Sequence, residues 1–310
     1  MPNQASRFDQ QVPFPEIWDN TMVATGVDCP KKLQYAFFHH LQPGKKSVDL
    51  HAGASFAKGI EVVRRAYYDN SVPSEQAIQL GAKALIIAYG DYDPGDSVKT
   101  CERMVGALAS YFQQYPPETD HLKPLKTGDK SAIEFSFALP IDVLHPVTGQ
   151  SIIYCGRFDM LATLNDNASA LFVADEKTTK QLGPSWAKQW NLRSQFMGYA
   201  WGSRKYDYPV QGAIIRGVSI LKEKFGHAES IVYFPQWKID KWYEQLCRNI
   251  ERFKKMWEEN YFDYSFAGEC STYGGCKYTL LCDTDNPEQW VDGYFHIRVW
   301  EPLKIREGGE

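Results

Sequence analysis

The residues best placed to do chemistry in this sequence are two aspartates and a lysine. Gly156-Arg157-Phe158-Asp159 lies in one alternating stretch, and Asp175-Glu176-Lys177 ends the next. A turn at Asn165–Ala168 separates them, and a three-residue loop from Asp166 to Ala168 sets Asn165 opposite Ser169. That register brings Asp159 beside Asp175 across two antiparallel strands. Direct cross-strand neighbours have Cβ atoms about 5 Å apart, and like charges there repel unless a cation compensates. Lys177 is two residues from Asp175 and leaves the same face, whereas Glu176 points to the opposite face with its backbone carbonyl bordering the site. Two carboxylates and a carbonyl form an oxygen-rich site suited to Mg²⁺ or Mn²⁺. A lysine beside it can orient a metal-bound water and stabilise charge on a phosphate. The competing reading is a surface hairpin with an exposed salt bridge.

Downstream, Lys177, Lys180, Lys188, Arg193, Arg204 and Lys205 occur with no acidic residue among them, and Trp186, Trp190, Phe196, Tyr199 and Trp201 are interleaved. Gln195 and Tyr199 are four apart and share a helix face. A basic, aromatic-rich helix beside a metal-binding hairpin suits a nucleic-acid backbone with stackable bases. The competing reading places the aromatics on the core face of the helix. Cys29–Val48, with four lysines and no acid, has the same sign.

The seven cysteines are an odd number, and three of them crowd into Cys270-x₅-Cys276-x₅-Cys282, with Cys29 far upstream. Four thiolates suit a 4Fe–4S cluster or a tetrahedral zinc. An intracellular cysteine can also be simply a small buried hydrophobe, which is the expectation for Cys101, Cys155 and Cys247.

These residues need elements to position them. Helical spacing of apolar residues marks Phe56–Asp69, Gln76–Tyr89 after Ser74, and a helix capped by Ser97 that ends near Tyr115, before Pro116-Pro117. The period then becomes two, giving strands over Ala132–Leu139, Ser151–Leu164 and Ala170–Asp175. Pro184 opens a long helix to about Lys205. Val210–Leu221 and Ser230–Phe234 read as strands, and Trp237–Asn260 as a long amphipathic helix. The expected class is α/β with a mixed central sheet flanked by helices.

The 310 residues carry 44% hydrophobic and 23% charged side chains, which excludes a disordered or collagen-like chain. The net charge of −4 excludes a polycation coating nucleic acid, though not a local basic surface. No apolar run is long enough to span a bilayer and no export signal opens the chain, so a soluble, cytoplasmic protein without structural disulfides is expected.

Gly156-x-x-Asp159, Asp175-x-Lys177 and Gln195-x-x-x-Tyr199, in this order on strand, strand and helix, resemble the PD-(D/E)XK nuclease superfamily, and most closely its RecB-like branch with CRISPR-associated and phage-encoded exonucleases. The resemblance runs from about Cys29 to Cys282. It implies a restriction-endonuclease-like sheet and Mg²⁺- or Mn²⁺-dependent hydrolysis of DNA by a metal-activated water, in recombination, repair or phage DNA metabolism. It implies that Asp159, Asp175 and the Glu176 carbonyl bind metal, that Lys177 assists the attacking water, and that Gln195 and Tyr199 line the path of single-stranded DNA or duplex ends; Lys188 and Arg193, in the acid-free basic segment, are the expected DNA-backbone contacts. The family's helical motif resembles Gly-x-x-x-His-x-x-x-Glu. Here Gly53 and Glu61 match, so Glu61 would complete the acidic cluster, but Ala57 stands where the histidine belongs. Glu134 is a candidate supporting residue or a surface glutamate on an edge strand. By the same resemblance Cys29, Cys270, Cys276 and Cys282 would hold a 4Fe–4S cluster, with zinc as the lesser alternative, closing the Cys-rich loop onto the N-terminal region. The expected organisation is an irregular arm over 1–20, one nuclease domain over 21–285 and a tail over 286–310. The alternative function is a non-catalytic DNA-binding or scaffold module that retains the fold; a third is a zinc-stabilised interaction protein.

Overall fold

The computed structural model describes residues 7–8, 10–44, 46–165, 167–266, 268–271 and 275–303. Asp166 of the expected loop, and parts of the expected arm, Cys-rich loop and tail, lie outside these residues. In chain order the elements are β1 (Ile17–Asp19), α1 (Asn20–Asp28), α2 (Pro30–Leu33) running into a π-helical turn Gln34–Phe38, β2 (Leu41–Pro43), α3 (Val48–Tyr68), α4 (Ser74–Tyr89) and α5 (Cys101–Gln114). Six strands follow: β3 (Leu122–Pro124), β4 (Lys126–Thr127), β5 (Lys130–Ser131), β6 (Ile133–Leu144), β7 (Ser151–Leu164) and β8 (Asn167–Thr179). Then come α6 (Pro184–Lys188), a 3₁₀ turn Gln189–Leu192, α7 (Ser194–Lys205), β9 (Gly212–Ile220), β10 (Phe225–Tyr233), α8 (Gln236–Glu258), α9 (Thr279–Cys282), α10 (Glu288–Tyr294) and β11 (Phe295–Ile297). The chain divides into two compact units, one of residues 46–137 and 157–239, the other of 1–45, 138–156 and 240–310.

In the first of these units the sheet runs β7–β8–β9–β10, with β3 also paired to β7. It is mixed: β7–β8 and β9–β10 are antiparallel, and β8–β9 is parallel. Side chains alternate between faces along a strand. Val218 and Ile220 of β9 enter a core with Phe56, Ile60 and Val63 of α3, Leu85 of α4 and Leu108 of α5. The intervening Gly217 sits on the other face, where an added Cβ would meet the Trp186 ring at 2.4 Å. Three helices therefore cover one face, and α6 with its turn covers the other. Each large apolar side chain so buried contributes about 1.5–3 kcal/mol. The α3–α4 crossing is close, because a Cβ on Gly81 would lie 2.6 Å from the Gly59 carbonyl oxygen.

The β7–β8 register is the expected one. Met160 faces Ala174 and Thr163 faces Leu171; the paired stretch ends at Met160–Ala174, one residue short of Asp159 and Asp175. The turn differs: the register shifts after Thr163, and Leu164 faces Asn167, not Asn165 facing Ser169. Four helix expectations also need correction: Ser74, expected as the cap ahead of Gln76, is instead the first residue of α4, and Pro73 stands at the cap. The first helix begins at Val48, where the Ser47 hydroxyl accepts from the Leu50 amide, eight residues before Phe56. Thr100, not Ser97, caps α5 through the Arg103 amide. The expected helix from Pro184 to Lys205 is broken, with extended backbone at Arg193. On an unbroken helix Trp190 and Phe196 would point about 120° apart. The break lets both enter the core, ring centroids 5.7 Å apart.

In the other unit β1 runs parallel to the first half of β7, Trp18 opposite Tyr154. Trp18 is fully buried and stacks on Phe253 of α8 at 5.8 Å. Strand β11 pairs antiparallel with β2, Phe295 opposite Pro43. No helix among the described residues is long and apolar enough to cross a membrane.

Candidate active site and thiol centre

Asp175 is buried on β8, and Lys177, two residues on, contacts its carboxylate. The contacted oxygen, Asp175 Oδ1, is shielded from solvent, and Lys177 is the partner it meets. Asp159 Oδ2 accepts the Glu176 amide at 3.0 Å, which ties the two strands together at the site. Burial pushes both aspartates above the ordinary carboxylate range. For Asp159 the charges of Asp175, Glu176 and Glu134 add to it, and Lys177 opposes. For Asp175 the Lys177 ammonium is the main opposing influence. Burial would lower Lys177, but Asp175 and Asp159 outweigh it and hold the amine above its usual value. Its two aspartates thus favour the charged form of Lys177. Asp175 is buried and Asp159 half-buried; ionised together against one ammonium, they leave an excess of negative charge that a divalent cation would neutralise.

Glu61 is not drawn into this pair. Its carboxylate is bonded to Lys58 and Arg65, each at 3.0 Å. Burial raises its pKa, but these two cations hold it below the ordinary value. Glu134 is the residue the sequence undervalues. It is paired with Arg157 at 2.9 Å, burial pushes it up, and its charge acts on Asp159. Its φ of +54° breaks the strand's alternation, a conformation uncommon outside glycine. No residue-type pattern announces it.

Glu176 points away from Asp175, into a buried polar chain. Arg64 of α3 donates to both its oxygens, Nη1 to Oε2 at 3.0 Å, and the Tyr111 hydroxyl of α5 donates to Oε1 at 2.8 Å. Burial alone would raise Glu176, but Arg64 above all keeps it below its ordinary value. The Tyr111 oxygen also accepts from Arg64 at 3.2 Å and from Arg216 at 3.3 Å. Arg216, fully buried, forks onto Asp120 at 2.7 and 2.6 Å and reaches Glu229 at 2.9 Å. A lone arginine inside the apolar run of β9 is the only sequence signal for this chain.

On α7, Gln195 Nε2 donates to the Tyr199 hydroxyl at 2.7 Å, and the Tyr199 ring meets Phe158 at 5.2 Å. Phe196 is buried, with the Lys177 ammonium 5.8 Å from its ring centre. Trp186, Trp190, Phe196, Tyr199 and Trp201 are all buried, so as a group they form core and not the expected stacking surface. Lys188 and Arg193 are exposed.

The second centre lies in the other unit. Cys29, Cys270, Cys276 and Cys282 line one cavity of about 350 Å³. Burial and the thiols of Cys276, Cys29 and Cys270 push Cys282 up to about 11. The Cys276 amide donates to the Cys270 carbonyl at 2.9 Å, and Gly275 before it adopts φ +96°. The Lys31 ammonium lies 5.4 and 5.0 Å from the ring centres of Tyr35 and Tyr264. Burial lowers Lys31, while Cys282 and Cys29 oppose that shift. No three His, Cys, Asp or Glu side chains among the described residues are set to hold a single metal ion.

No protein-family model matches the chain, and no curated protein matches it. Among solved structures it is similar to a "Putative exonuclease" from Eubacterium rectale, 12% identical over 83% of this chain and 86% of that one, with a TM-score of 0.48. It is also similar to the protein SSO0001, 13% identical over 74% of this chain and 83% of that one, with a TM-score of 0.31. Neither likeness is close enough to carry chemistry from one protein to the other.

Proposed function

We propose that the protein is a metal-dependent DNA nuclease of the PD-(D/E)XK type, acting as an exonuclease on single strands or duplex ends. The observation that supports this reading most is the Asp159–Asp175 pair, Asp175 buried and Asp159 half-buried, both carboxyls held up in pKa, with Lys177 against Asp175. Asp159, Asp175 and the Glu176 carbonyl would hold Mg²⁺ or Mn²⁺. Such an ion lowers the pKa of a bound water and neutralises charge on the phosphate. Lys177, kept protonated by its two aspartates, donates to a phosphate oxygen or to the water and does not serve as a base. Arg64 and Tyr111 hold the Glu176 side chain out of the site while its backbone stays at the rim. Gln195 and Tyr199, on the helix whose Phe196 meets the Lys177 ammonium, would guide the strand. The four thiols around the second cavity would carry a 4Fe–4S cluster as a structural clip.

The test is purified protein with end-labelled single- and double-stranded DNA in Mg²⁺, Mn²⁺ or EDTA. Shortening from an end with either metal and none in EDTA supports the reading; no cleavage, or equal cleavage in EDTA, overturns it. The engagement of Glu61 by Lys58 and Arg65 favours one second reading, a DNA-binding module without catalysis. It predicts metal-independent binding and no cleavage.

A further inference from the structure

We propose that an exposed aromatic and cationic face, formed by the start of α8 and the turn before α7, is a stacking platform for single-stranded DNA; its role in feeding a strand to the cleavage site rests on the nuclease reading. With the aromatics of α6 and α7 in the core, the stackable surface lies elsewhere in the same unit. Trp237 is 59% exposed and Tyr233 is 59% exposed, and Leu192 at the tip of the 3₁₀ turn is 75% exposed. Lys238 joins the two segments. Its ammonium donates to the Asn191 carbonyl at 3.4 Å and lies 6.0 Å from the centre of the Trp237 ring. Lys188 and Arg193, both exposed, flank the turn, and no acidic residue occurs from Lys177 to Lys205.

The turn is built, not loose. Trp190 anchors it in the core, and Gln189 Nε2 donates to the Trp186 carbonyl at 3.0 Å. Beside Tyr233 runs an open groove of about 860 Å³. Arg204 braces its walls by donating to the Val210 carbonyl at 2.7 Å, the Phe234 carbonyl at 2.6 Å and Gln236 Oε1 at 2.9 Å. Aromatic faces that accept any base, spaced among cations that follow a phosphate backbone, are what binding to single strands requires. An exposed leucine between two cations can also wedge at the point where a duplex opens. Duplex DNA hides its base faces and gains only from the cations, so the chemistry selects the single strand. Arg193 leads directly into α7, whose Phe196 ring centre lies 5.8 Å from the Lys177 ammonium.

The experiment measures the affinity of the full-length protein for fluorescein-labelled oligothymidylate of about twenty nucleotides, in EDTA, by anisotropy. Affinity should exceed that for blunt duplex of equal length and fall steeply with salt. Trp237→Ala should weaken oligothymidylate binding about tenfold or more, Trp237→Phe should restore most of it, and Leu192→Ser should weaken it separately. Hydrolysis of a p-nitrophenyl ester of thymidine monophosphate, too small to reach the platform, should be unchanged in Trp237→Ala. Equal affinities for wild type and both Trp237→Ala and Leu192→Ser overturn the proposal, as does preference for blunt duplex. Trp237-dependent binding by a protein that hydrolyses no diester supports the platform and removes the nuclease reading.

Discussion

Tyr111 shows what single residues do in this protein. Its hydroxyl donates to Glu176 and accepts from Arg64 and Arg216, so one oxygen completes a buried chain behind the Asp175–Lys177 pair. Removing it leaves a carboxylate and two guanidiniums each short of a partner, which typically costs about 1–3 kcal/mol. Tyr111→Phe keeps the ring, so the expected outcome is a fall in stability of that size on denaturant unfolding, with weaker Mn²⁺ binding as β8 loosens. Unchanged stability would mean the chain is not structural. Asp159, Asp175 and Lys177 were legible because strand alternation and charge balance bear directly on them. Glu134 could be named but not decided between a supporting and a surface role, since its placement depends on a positive φ that nothing in its neighbours demands. Arg64 and Tyr111 look, in sequence, like the polar and aromatic positions of any amphipathic helix, and only the strand they meet gives them a role.

Among elements, α3 and α4 meet through glycines. A Cβ on Gly81 would fall 2.3 Å from Val63 Cγ2 and 2.6 Å from the Gly59 oxygen, one of them backbone that cannot yield without moving the helix. Gly81→Ala gains helix propensity, yet overpacking costs about 1–3 kcal/mol. The variant should therefore melt below wild type; a higher melting temperature would show that the crossing relaxes freely. Arg64, carried on α3, should then hold Glu176 less well. The β7–β8 register could be read from sequence because alternation penalises a slip by one residue. Its turn could not, because the bulge after Thr163 changes the loop while leaving the ladder intact. Likewise, the run from Pro184 to Lys205 reads as one helix by residue type. The need to bury both Trp190 and Phe196 breaks it at Arg193, a tertiary demand that local propensity does not contain.

At the scale of the molecule, each compact unit holds its own centre, the carboxylates in one and the thiols in the other. Cys29 and the three later cysteines are separated by some 240 residues, so a shared cluster would close a long loop. In the loop-entropy picture used for disulfides, such a closure is worth about 5 kcal/mol. Protein purified anaerobically should be brown, with about four irons per chain. Cys276→Ser should lose the colour and melt at a lower temperature, while chains that stay folded keep some nuclease activity. A colourless protein with one zinc per chain would replace the cluster with a structural zinc. Three of the four thiols stood out in sequence by their clustering, and folding brings all four to one cavity; the Lys31–Tyr35–Tyr264 contacts beside them carry no spacing signal. The central claim is hydrolysis by the Asp159–Asp175–Lys177 site. The most direct test is the single-turnover rate of Asp175→Asn against wild type on end-labelled DNA with Mn²⁺, with circular dichroism confirming the fold. A loss of about 10²–10³-fold or more in a folded variant is expected. Cleavage within a factor of a few of wild type would contradict the account.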